Sequence, residues 1–423
     1  MRTLRVDELD EDFFVYHEAS ELSSVKGIID DVRQRGDQAV LEYTRRFDGA
    51  DISRIPVEHA ELQTAYDRVE ANTIDALKRA AENIQRFCEI QKKQFKDFTV
   101  ELQPGVFTGQ RVIPIHRVGV YVPGGRYPLV STLLMCAVPA KVAGVEELAV
   151  CSPPSLDGSI HPVILAAAGI VGIEEIYKIG GVQAIAALAY GTESVKAADK
   201  IVGPGNKYVT QAKKEVFGKV GIDLIAGPTE VLIIADESAN AEILAADLLA
   251  QAEHDEDAKP ILVTTSRYLV REVNNQVRRQ LEHLNTAETA RTSVERNGLI
   301  ILVENLDEAV TLANRKAPEH LQLQIDDPAR IIPRLTNYGS LFAGKLAAEV
   351  LGDYSSGINH TLPTNTTARY RGGLGVLDFL KFQTILNVTA EGFDSIGPVA
   401  QTLANAEGLD GHGKSIEIRM TNK

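Results

Sequence analysis

Residues 117–151, RVGVYVPGGRYPLVSTLLMCAVPAKVAGVEELAVC, decide the architecture. A run rich in β-branched residues, Val118–Val122, stops at Pro123-Gly124-Gly125. An Ala- and Leu-rich run of helical length follows, and a second β-rich run, Leu148–Cys151, closes the unit. Strand, helix, strand in that order is the signature of a parallel, right-handed crossover. The rhythm continues through Ile176–Ile179, Lys200–Val202, Val231–Ala235, Ile261–Thr264 and Leu299–Val303. An α/β fold follows. One flat sheet could hold these strands, but two smaller parallel sheets suit them better, with the break at the turn-forming Ala226-Gly227-Pro228. Glycines mark several strand ends, as in Gly180-Gly181 and Gly203-Pro204-Gly205. Open α/β sheets bind ligands at such carboxyl ends.

Working outward, residues 20–47 and 58–96 read as two amphipathic helices, with Ala76, Leu77, Ala80, Ala81, Ile84 and Phe87 at helical spacing. Beyond Tyr370 the chain turns irregular and Gly-rich, and the tail reads as a small separate unit. No repeat or low-complexity tract interrupts it.

The composition agrees. The 423 residues exceed one ordinary core. Aromatics make up 6% and Trp is absent, so Ala, Val, Ile and Leu build the interior, as α/β sheets prefer. A net charge of −14 without a basic stripe excludes nucleic acid as the expected partner. No apolar stretch is long enough to span a membrane, and the acidic start MRTLRVDELDEDFF does not read as a signal peptide. Cys88, Cys136 and Cys151 are odd in number, far apart and without a CxxC. That argues against a disulfide framework or thiolate zinc site and fits a reducing cytoplasm. Any metal must then rely on His, Asp, Glu or amide ligands.

Gln251 and His254 close the helical run 239–253 at i, i+3 spacing, on one helix face. They read as two metal ligands or as a solvated helix end before Asp255-Glu256-Asp257. Residues 352–360, GDYSSGINH, read as a loop carrying Asp353 and His360: a displayed carboxylate and imidazole, or an Asp turn with an incidental histidine. Glu319-His320 after Pro318 is a general-base pair or a helix start with Pro at its first position. His412, between glycines near the end, is a ligand or an idle tail histidine. No GxGxxG follows a strand, so dinucleotide binding is weakly signalled. The N–H groups after Gly180-Gly181 or around Gly203-Pro204-Gly205-Asn206 are the available phosphate cradles.

Taken together, eight segments resemble the histidinol dehydrogenase family over essentially the whole chain. They are VGVYVPGGRYPLVST (118–132), KIGGVQAIAALAYGT (178–192), KIVGPGNKYVTQAK (200–213), IAGPTEVLIIAD (225–236), DLLAQAEHDEDA (247–258), APEHLQL (317–323), LGDYSSGINHTLPT (351–364) and AEGLDGHGKS (406–415). The resemblance implies oxidation of L-histidinol to L-histidine through bound histidinal, in two NAD-dependent hydride transfers, the last step of histidine biosynthesis. It implies one Zn²⁺ per site on Gln251, His254, Asp353 and His412, with Glu319 and His320 as catalytic bases. Tyr121, Gln183 and Asn206 match NAD-contacting positions. Thr229, Gln251, His254, His320, Asp353, Glu407 and His412 match substrate-contacting positions, and His360 a supporting one. Thr229 stands where many relatives carry Ser; the hydroxyl is kept and a methyl added.

The family fold implies two Rossmann-like parallel-sheet domains of unequal size. The larger is formed by 21–120 and 230–373, the smaller NAD-binding domain by the inserted 121–229. An N-terminal extension, 1–20, and a C-terminal dimerisation unit, 374–423, complete a cytoplasmic homodimer whose active sites are shared between subunits. A relative acting on another small polar alcohol, such as a sulfonated diol, is the rival within the family, and assaying both substrates separates them.

Overall fold

The computed structural model describes residues 1–17, 22–124 and 127–422; Gly125, expected in the turn after the first strand, and the expected helix start and domain boundary at 20–21 lie outside them. Arg117–Tyr121 and Glu147–Ser152 are parallel neighbours joined by the helix Val130–Ala143. Their sheet has five parallel strands, in the order Glu175–Lys178, Glu147–Ser152, Arg117–Tyr121, Lys200–Val202, Gly221–Ile222. The helix Val130–Ala143 is apolar all round because it lies between this sheet and the helix Ala71–Lys92, with Leu133, Met135 and Val138 all buried.

The second sheet has six parallel strands, in the order Arg2–Arg5, Leu299–Leu302, Lys259–Thr264, Glu230–Ala235, His320–Gln324, Ser340–Ala343. Two expectations change here. Residues 2–5 of the supposed extension are the edge strand of this sheet. His320 opens a strand, so the helix-start reading of Pro318-Glu319-His320 fails.

Residues 23–92 also differ from expectation. They form four α-helices, Ser23–Arg35, Asp37–Phe47, His59–Ala65 and Ala71–Lys92. Gly36, at φ +53°, breaks the first pair, a left-handed position that glycine accepts without strain. Their apolar faces cover the five-stranded sheet. Val25 and Ile29 join Ile185 and Leu188 on one side, and Leu77 and Ile84 join Leu133 and Val150 on the other. The packing therefore groups these helices with the smaller sheet, not with 230–373 as the expected division had it.

A third sheet was not foreseen. Phe98–Gln103, Val106–Pro114 and Leu380–Val388 form an antiparallel arm, joined to the helical hairpin Ala390–Ala406 and Asp410–Thr421. Val100, Leu102, Leu386, Val399 and Leu403 stand exposed on this unit. No helix among the described residues is long and apolar enough to cross a membrane.

Candidate active site

The six-stranded sheet brings Thr229-Glu230 and Glu319-His320 side by side. His320 pairs with Val231 across the central strands. These residues lie at the amino ends of the strands, opposite to the carboxyl-end rule that fits Tyr121, Gly180 and Gly203 in the other sheet. The reason is the helix Ala241–Ala252. It runs back antiparallel to the strands and delivers Gln251, with His254 just past its end, to the amino edge. Its last turn presents carbonyls, the negative end of the helix dipole, which favours a cation there.

Glu319 and His320 are both buried. Glu319 Oε2 accepts hydrogen bonds from the Thr229 hydroxyl at 2.6 Å and the Glu230 N–H at 2.9 Å. His320 Nδ1 lies 3.1 Å from the Glu230 carbonyl oxygen. A carbonyl only accepts, so Nδ1 carries the proton and Nε2 is left basic. Nε2 is buried and has no hydrogen-bond partner among the described residues. Burial pulls the His320 pKa down to about 3, against the Glu230 hydrogen bond that raises it, with His254 and His360 lowering it further. Burial pushes Glu319 well above the usual carboxylate range, although its two hydrogen bonds oppose the shift. The arrangement supplies a neutral imidazole base and a carboxyl group tuned towards neutrality.

Gln251 is fully buried. One side of its amide meets Thr229 Oγ1 at 2.7 Å, and the other meets Glu349 Oε1 at 2.8 Å. With the amide nitrogen towards Glu349 this is a hydrogen bond. With the oxygen there, two acceptors meet, which a cation or a shared proton must reconcile. Asp353 ends the short helix Glu349–Tyr354 rather than riding a loop, and its Oδ1 lies 3.7 Å from His360 Nδ1. Burial pushes Asp353 up to about 6, and His254 pulls it the other way. Burial draws His360 down to about 4, and its Nε2 has no hydrogen-bond partner among the described residues. His320, Glu349 and Asp353 each place a ligand atom within 4.8 Å of the others. Neutral imidazole nitrogens, carboxylates and an amide oxygen converging on unpartnered atoms form a donor set that suits zinc.

The expected NAD positions lie at the carboxyl ends of the five-stranded sheet. The Tyr121 hydroxyl accepts the Gly181 N–H at 3.1 Å. Gln183, two residues further along, is fully buried, and its Oε1 has no hydrogen-bond partner among the described residues. Asn206 caps the helix Lys207–Val216, accepting N–H bonds from Tyr208 at 3.0 Å and Val209 at 3.2 Å. Gly203 stands at φ +117°, and a Cβ there would collide with the Tyr121 carbonyl, so only glycine fits.

Two expected residues do not join the centre within one chain. Glu407 and His412 are exposed on the C-terminal hairpin, and among the described residues no contact links them to Gln251, Asp353 or His320. Conversely, sequence reasoning missed Glu349 and the buried Glu230–Lys316 pair. Glu349 had a signal: it precedes Asp353 by four, on one helical face. It lies just upstream of 352–360, whose polar residues stand out instead.

Two parallel sheets, a buried carboxyl–imidazole pair and a zinc-suited donor set together define an α/β protein with an acid–base centre. A family model for histidinol dehydrogenase matches residues 16–420. Histidinol dehydrogenase of Agrobacterium fabrum is 49% identical over 400 residues, covering 94% of this chain and 92% of that one. The Bacillus thuringiensis enzyme is 48% identical over 397 residues, covering 94% and 92%. The crystal structure of histidinol dehydrogenase from Elizabethkingia anophelis superposes with a TM-score of 0.94 at 38% identity, covering 100% of this chain and 98% of that one. The chain belongs to the histidinol dehydrogenase family.

Proposed function

We propose that the chain oxidises L-histidinol to L-histidine in two NAD-dependent steps, as a cytoplasmic homodimer. The observation that carries this reading is the pairing of Glu319 and His320 beside Gln251 and Asp353, because a two-step oxidation needs a base for each of two chemically different events. Zinc held by Gln251, His254, Asp353 and His412 of the partner subunit would grip the imidazole and amine of the substrate, and NAD would accept the hydride.

The chain's own residues do the proton work. Nε2 of His320 takes the carbinol proton as the hydride leaves, and its lowered pKa keeps it free to do so. Glu319, held by Thr229 and Glu230, takes a proton from the water that adds to the aldehyde. The hydrate then yields its proton to His320 and its second hydride to a second NAD. Burial of the pair excludes bulk water and keeps the reactive aldehyde in place.

The test is a count. Purified protein given limiting L-histidinol is expected to release about two NADH per substrate, each hydride reducing one cofactor. A ratio near one removes the second oxidation and the role of Glu319. No turnover of histidinol, with turnover of a sulfonated diol, replaces the substrate.

A further inference from the structure

One carboxylate at the carboxyl ends of the five-stranded sheet has no basic partner among the described residues. Asp48 ends the helix Asp37–Phe47 and overhangs the loop before the helix Gly181–Tyr190. A Cβ built on Gly180 would lie 3.3 Å from its Oδ1, and Gln183 Nε2 lies 3.4 Å from its Oδ2. Burial pushes its pKa up to about 6, with no charged neighbour among the described residues contributing. Nearby, Ser152 Oγ and Gln183 Oε1 are buried and have no hydrogen-bond partner among the described residues. A half-buried carboxylate beside orphaned polar groups is costly unless a ligand brings hydroxyl donors to it.

The sheet topology indicates which part of a dinucleotide would reach this point. The strand Gly221–Ile222 leads to Glu230 through only residues 223–229, so that edge is tied to the six-stranded sheet and to His320. Asp48 lies by the opposite edge strand, Glu175–Lys178. The reacting nicotinamide must point towards His320, which leaves the adenosine end at Asp48. The start of the helix Gly181–Tyr190, where the Gly181 N–H already goes to the Tyr121 hydroxyl, turns its following N–H groups towards the pyrophosphate between them.

We propose that Asp48 accepts a hydrogen bond from the adenosine 2′-hydroxyl of the dinucleotide and, by its charge, rejects a 2′-phosphate, setting a preference for NAD over NADP. This rests on the NAD-linked reading of the chain. A carboxylate suits a ribose hydroxyl and repels a phosphate at the same position.

Calorimetric titration of the zinc-loaded protein with NAD, NADP and the 2′-deoxyadenosine analogue of NAD tests it without reliance on turnover. Wild type should bind the analogue about tenfold or more weakly than NAD, the range for a hydrogen bond to a charged group. Asp48→Asn should lose a similar factor for NAD, lose its discrimination against the analogue, and bind NADP no worse than wild type does. Asp48→Ser should behave alike, and the analogue titration on wild type needs no variant to fold. Equal binding of NAD and the analogue by wild type overturns the proposal, as does equal loss of NAD and NADP in both variants. Wild type that binds no dinucleotide, while still binding histidinol, overturns the NAD-linked reading and this proposal with it.

Discussion

The Thr229 hydroxyl lies between two functional groups, 2.6 Å from Glu319 Oε2 and 2.7 Å from the Gln251 amide. Thr229→Val keeps the shape and removes both links, whereas Thr229→Ser keeps them. A lost hydrogen bond to a charged group costs about 1.5–3 kcal/mol, roughly ten- to a hundredfold in rate. On the proposed role of Glu319 in the hydration step, the loss should fall more heavily on histidinal oxidation than on histidinol oxidation. Equal loss in both half-reactions, measured separately by NADH absorbance, would detach Thr229 from Glu319. Asp353 supplies a pH test. Its folded pKa is raised to about 6 in the metal-free protein, so below that value a proton must leave before a metal can bind. Zinc affinity should therefore hold above pH 6 and fall by about tenfold per pH unit below it from this group alone. Competition with a chromophoric chelator at pH 5 and pH 7.5 measures the slope, and a flat profile would remove Asp353 from the donor set. At this scale the sequence was informative wherever residues share an element. Gln251 and His254 are legible from their spacing, and Asp353 with His360 from a polar run. Glu230 was not, because its contribution to the centre is a backbone N–H and a carbonyl, which any residue type provides.

The link between the central strands depends on a buried ion pair. Lys316 Nζ lies 2.7 Å from Glu230 Oε2, with side chains only 4% and 1% exposed. Lys316 ends the helix Leu306–Lys316, and Ala317 at φ +51° turns the chain into Pro318-Glu319-His320. The pair thus pins the turn before Glu319 and His320 to the strand that hydrogen-bonds them. Lys316→Met leaves the Glu230 carboxylate buried and unpaired, which costs about 3–5 kcal/mol. The double variant Glu230→Gln/Lys316→Met should recover much of that, since neither charge then remains. Urea unfolding of the three proteins decides it; a single variant as stable as wild type would show that the turn is held by other contacts. Elements were legible where hydrophobic pattern and burial agree, as in the strands of 117–303. The strand His320–Gln324, HLQLQ, escaped because Gln322 is buried by pairing with Asp247 at 2.6 Å instead of by being apolar. The helix break at Gly36 was hidden within a continuous amphipathic pattern.

For the whole molecule, the exposed antiparallel arm and hairpin raise a question that one chain does not answer. Phe98, Val100, Leu102, Leu386, Val399 and Leu403 are large apolar side chains on an open surface, and contiguous patches of that kind mark interfaces. The same unit carries Glu407 and His412 away from the centre that the resemblance assigns them to. Both observations fit the proposed homodimer, in which the unit reaches a second subunit and completes that subunit's site. A two-fold dimer then has two composite centres, each built from Gln251, His254 and Asp353 of one chain and His412 of the partner subunit. Asp353→Ala and His412→Ala should each be nearly inactive as pure dimers. Mixed in equal amounts, dissociated and allowed to reassociate, about half of the dimers are heterodimers. In each heterodimer one centre carries both lesions and the other carries none, so activity should return to roughly a quarter of wild type. If both residues served a centre within one chain, every centre would keep one lesion and nothing would return. Mass measurement of the reassociated species shows whether subunits exchanged. Exchange without recovery would leave His412 where the single chain puts it, on the surface and outside the chemistry.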